Sequence, residues 1–82
     1  MMKIFDELVI GDRIDITNEL LSIIPEHGRL FNYFEVVEKI DNDTILFSYY
    51  QLKKNQGPYC TSAFPDFKLK REDLKIKVFV RS

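Results

Sequence analysis

The chain has 82 residues, with one cysteine, one histidine, three glycines, three prolines and a formal net charge of −1. A chain this short forms one domain, here residues 1–82, and buries about 60–65% of the surface its unfolded form exposes. The counts exclude collagen-like, low-complexity and disulfide-scaffold classes, and seven Phe with four Tyr oppose disorder.

The first residues meet acids at once, Asp6 and Glu7, with no apolar run of the kind a secretory signal needs. No stretch approaches the roughly 20 apolar residues of a membrane span. Cys60 has no second cysteine to pair with. Together these predict a soluble cytoplasmic protein that engages no membrane. Residues 3–10 read as a turn or short strand, with Phe5 and Leu8 plugging one end of the core. Gly11-Asp12 is a turn signal. The alternation in residues 13–17 then predicts a strand with Ile14 and Ile16 on one side.

Residues 18–24 admit two readings. Asn18 suits a helix N-cap and Glu19 a first turn, whereas Pro25 drives Ile24 away from helical angles. The segment is a helical turn or two, or a continuation of the strand. Glu26-His27-Gly28 is a turn. Residues 30–40 and 44–52 are rich in aromatic and β-branched residues, which favour strands. The intervening Asp41-Asn42-Asp43 bonds locally and tolerates tight reversal. The pair predicts a β-hairpin.

A loop over 53–58 leads to an irregular strand in 59–64, stopped by Pro65. Phe67 and Leu69 alternate with Lys68 and Lys70. Arg71 to Leu74 reads as a single charged turn. In residues 75–81, Ile76, Val78 and Val80 face inward, and Lys75, Lys77, Phe79 and Arg81 face outward. The expectation is a mainly β fold: a five-stranded, strongly bent antiparallel sheet or small barrel with one or two short helical turns. Closure of short strands protects their edges. The Gly-Asp turn, the long first connection, the central hairpin and the charged turn before the last strand resemble the architecture of SH3-like barrels. Such barrels host many unrelated roles, so the resemblance implies a fold and no activity.

Few residues offer catalysis. His27 sits in a predicted turn, where a solvated loop residue is the ordinary case. Cys60 lies among Tyr59, Thr61 and Ala63 like a small buried apolar residue. One Cys and one His make no structural zinc site. Asp41 and Asp43 lack the further ligands of a calcium loop, since Ile45 and Leu46 follow. Gly11, Gly28 and Gly57 are isolated and cradle no phosphate. No set converges on an active site. The expectation is a non-enzymatic module with no metal, no cofactor and no evident small-molecule substrate.

Two binding surfaces remain. Both faces of the hairpin carry aromatics, so Phe31, Tyr33, Tyr49 and Tyr50 predict a surface for a protein partner or for self-association. The charge is also divided: residues 1–43 carry ten acids and four bases, net −6, and residues 44–82 carry eight bases and three acids, net +5. Lys68, Lys70, Lys75, Lys77 and Arg81, with Phe79 on the same face, predict an alternative in which single-stranded nucleic acid binds the last two strands.

Overall fold

The hairpin forms where the local chemistry places it. In the computed structural model, which describes residues 1–52, 58–60 and 65–81, Asp41 Oδ1 accepts the Asp43 N–H at 2.8 Å and folds the chain back at Asn42-Asp43. This joins β3 (Tyr33–Asp41) to β4 (Thr44–Leu52) in antiparallel register, with Phe34 opposite Tyr49 and Val36 opposite Phe47. The register slips between Val36 and Glu38 and again between Lys39 and Asp41. Each slip is a bulge that bends the strand, and Val37 and Ile40 stand exposed at the two sites.

Five further strands are described: β1 (Met2–Lys3), β2 (Arg13–Asp15), β5 (Pro58–Cys60), β6 (Phe67–Lys70) and β7 (Val78–Arg81). All pairings are antiparallel, in the order β1-β7-β2-β3-β4-β5, and β6 also pairs with β4. The last strand thus lies between the first two. Met1 donates its amino group to the Val80 carbonyl at 3.2 Å, and Val80 N–H returns a bond to Met1 O at 2.7 Å. Seven strands are described where about five were expected: β1 adds a piece of two residues, and β5 overlaps the start of the irregular strand expected in 59–64, whose residues 61–64 lie outside the described residues. Of the two expected architectures the chain adopts the bent sheet, since among the described residues no pairing joins β1 to the strands beyond β4.

One core fills the concave side. Ile14, Phe34, Phe47, Leu69 and Val80, each from a different strand, belong to one buried cluster, so the sheet must curve around its own inner face. Phe5, Leu8, Leu20, Ile24 and Leu74 from the connections complete it. Residues 18–24 settle as a short 3-10 turn, Leu20–Ser22, opened by the Thr17 carbonyl and without a side-chain cap from Asn18. A second 3-10 turn, Glu26–Leu30, follows, and a third lies at Phe5–Glu7, where the Glu7 carboxylate accepts the Ile4 N–H at 3.0 Å. No helix among the described residues is long and apolar enough to cross a membrane.

Candidate functional site

Period-two alternation puts Tyr33 and Phe34 on opposite faces of β3, yet both are buried. Tyr33 faces away from the core and is 1% exposed. The Arg81 guanidinium lies 5.2 Å from its ring centroid, and the same guanidinium binds Asp15 on the neighbouring strand. Tyr49 faces the core, also 1% exposed, stacked between Phe31 at 4.8 Å and Phe67 at 4.7 Å. Burial pushes its phenol up to about 12. Phe31 is half-buried against the same cluster. The expected aromatic surface is therefore corrected at Tyr33 and Tyr49. One ring is roofed by an arginine and the other is a core residue, so neither is offered to a partner. The Tyr50 side chain lies outside the described residues, as do those of His27 and Cys60.

The basic residues divide in two. Arg71 and Arg81 are engaged with carboxylates: Arg81 with Asp15, and Arg71 with Asp6 and with Asp43 Oδ1 at 3.0 Å. Arg71 also bonds the Asn42 carbonyl and lies 5.1 Å over the Phe5 ring. The acids of the first half thus reach across to the second and neutralise both arginines. This corrects the reading of Arg81 as a free nucleic-acid contact. Sequence reasoning passed over Arg71, whose partners lie 65 and 28 residues away in the chain.

The four lysines behave differently. Lys68, Lys70, Lys75 and Lys77 are all exposed. None has an ion-pair partner among the described residues. Lys68 and Lys70 share a face of β6, while Lys75 and Lys77 lead on the same parity to Phe79, which is 44% exposed. β6 and β7 do not pair: β2, β3 and β4 lie between them in the sheet. The face joining the last two strands is therefore not a ladder of neighbours. Its continuity comes from the connecting segment, because Lys70 and Lys75 both line one groove.

That groove has a volume of about 700 Å³ and lies between the hairpin tip and residues 70–75. It is lined by Asp41, Asp43 and Thr44 from the hairpin and by Lys70, Arg71, Glu72 and Lys75 from the end of β6 and the residues after it. Its charged lining residues, three acids and three bases, cancel. Asp73 closes the edge of β6 beside it, since its carboxylate accepts the Lys70 N–H at 3.0 Å. The Lys70 carbonyl accepts from the N–H groups of Asp73 and Leu74. Among the described residues, no group of three or more His, Cys, Asp or Glu could hold a metal ion. Compared with known proteins, the chain matches no family model, no curated protein and no solved structure.

Proposed function

We propose that this chain is a non-enzymatic binding module whose ligand is a single-stranded nucleic acid, held along Lys68, Lys70, Lys75, Lys77 and Phe79. One observation carries the reading: four exposed lysines without acid partners among the described residues lead toward an exposed ring, while both arginines of that half are neutralised. Phosphates are attracted to ammonium groups outside ion pairs, and a base stacks on an aromatic face at the end of the row. Lysines on an edge strand also block strand-to-strand aggregation; Lys68 and Lys70 on β6 are placed for that task, whereas Lys75 and Lys77 lie outside any strand.

The test is fluorescence anisotropy of a labelled oligonucleotide against salt. Each phosphate contact to a single strand contributes about −0.7 to the slope of log K against log salt, so four contacts give roughly −3. Changing Lys75 and Lys77 to Gln is expected to reduce that slope by about half. No binding at about 50 mM salt, where electrostatic affinity is high, overturns the reading.

A protein partner or a second copy of the chain is the other reading. It moves from the hairpin aromatics to the exposed apolar pair Met2 and Phe79, which stand opposite one another on β1 and β7. An SH3-like architecture is part of the proposal. It is supported by the observed Gly11-Asp12 turn, the long connection from β2 to β3, the central hairpin and the turn before β7.

A further inference from the structure

The pairing of β1 with β7 sets two exposed apolar side chains beside each other. Met1 and Val80 exchange both backbone bonds, Met1 N–H to Val80 O at 3.2 Å and Val80 N–H to Met1 O at 2.7 Å. The next pair along, Met2 with Phe79, is therefore of the non-hydrogen-bonded kind, in which facing side chains stand closest. Opposite residues of an antiparallel pair share a face, with Cβ atoms about 4.5–5.5 Å apart. Met2 is 53% exposed and Phe79 44%. Neighbouring charges are engaged: Lys3 is bound to Asp12, and Arg81, two residues on along the Phe79 face, is bound to Asp15 and lies against the Tyr33 ring. Lys77, two residues before Phe79 on the same parity, is exposed and has no ion-pair partner among the described residues. An uncharged platform with an available ammonium at its end complements a nucleotide, which is a flat base carrying a phosphate.

We infer that Met2 and Phe79 together form a stacking site that favours a purine base over a pyrimidine; the inference rests on the nucleic-acid reading above and adds Met2 to it. Phe79 alone presents a single six-membered ring. The Met2 thioether widens that surface by one strand spacing, about 4.8 Å, and its polarizable sulfur makes favourable contact with aromatic rings. A fused two-ring purine covers both side chains, whereas a one-ring pyrimidine covers only one of them. Every base offers a face for stacking, so the extent of the overlap decides the preference. The contact is apolar and displaces no counterion, so it adds affinity without steepening the salt dependence.

The experiment compares two labelled single strands of about 12 nucleotides, within the site sizes of small β folds, by anisotropy at about 50 mM salt, where electrostatic affinity is high. One alternates adenine with cytosine and the other thymine with cytosine, so neither pairs with itself and both carry the same phosphates. The adenine strand is expected to bind about threefold more tightly, the scale of one sulfur–aromatic contact. Met2→Ala is expected to bring the two affinities together. Phe79→Leu is expected to weaken both strands by roughly tenfold, the scale of one lost base stack. Neither variant should change the salt slope or the circular dichroism, which separates them from the lysine variants. Equal affinity of the native protein for both strands, or a preference that survives Met2→Ala, overturns the stacking site and leaves the nucleic-acid reading standing. A dimer in light scattering that Met2→Ala dissolves, with no purine preference, overturns it in favour of a second copy of the chain. Failure of both strands to bind overturns the two readings together.

Discussion

A Cβ on Gly28 would stand 2.6 Å from Ile24 Cδ1 and 3.1 Å from Tyr49 Cε1. An added carbon would force the Ile24 side chain to shift, at the point where the 3-10 turn Glu26–Leu30 meets the core. Ile24 is itself buried and has little room to retreat. Gly28→Ala is expected to cost about 1–3 kcal/mol, the usual range for overpacking, read as a lower urea midpoint at unchanged slope. At this scale the sequence was least legible. Tyr33 and Tyr49 look alike in a two-faced hairpin, and their composition gives no sign that an arginine 48 residues away would roof the first. Phe79 was legible, because clean alternation in residues 75–81 held: Val78 and Val80 are buried and Phe79 is exposed.

The turn at Gly11-Asp12 shows how a small element is secured. Gly11 adopts φ of +97°, a left-handed angle that favours glycine, and its N–H bonds the Val36 carbonyl at 2.9 Å. Asp12 Oδ2 accepts from Lys3 Nζ at 2.8 Å and from the Val9 N–H at 3.0 Å. Burial alone would raise the Asp12 carboxyl, but the Lys3 and Val9 bonds and the charges of Lys3 and Lys39 outweigh it and hold the group below its ordinary 3.8. A carboxyl lowered by folding adds stability above its unfolded value and loses it as pH falls through the folded one. Asp12→Asn is therefore expected to lower the melting temperature at neutral pH by an amount corresponding to about 1 kcal/mol. The gap to the native protein should close as pH drops below 3.8. A gap that persists in acid would assign the loss to the turn's shape and not to its charge.

Elements as units were more legible than their contacts. The hairpin expected over 30–40 and 44–52 appears as Tyr33–Asp41 and Thr44–Leu52, since β-branched and aromatic runs around an Asx turn act locally. The two bulges were not legible, because one inserted residue leaves the sequence pattern intact while changing which side chains face out. The lysine row was visible as alternation. Its division between β6 and the segment that leads into β7 depends on strand order, which no local pattern encodes.

For the whole molecule, the opposed charges of the two halves resolve into contacts. Asp6, Asp15 and Asp43 reach across to Arg71 and Arg81, so the division serves cohesion between the two halves. Of the candidate site, the lysines and Phe79 could be named from the chain, whereas Arg71 and the groove required the fold. Arg71 ties the hairpin tip, the first 3-10 turn and the end of β6 together. Such a junction arises only after residues far apart in sequence have been brought side by side.

The placement of β7 between β1 and β2 governs the order of assembly. Pairing that spans nearly the whole chain pays its loop-closure entropy before any contact rewards it. The β3–β4 hairpin can form from residues already in hand, but β1 and β2 have no shared neighbour until Val78–Arg81 arrives. A chain truncated after residue 77 is expected to lose cooperative thermal unfolding altogether, and a normal melting transition in that fragment would show β7 to be dispensable. During synthesis the early strands must wait with open edges, which is the interval in which such a sheet is most exposed to wrong partners.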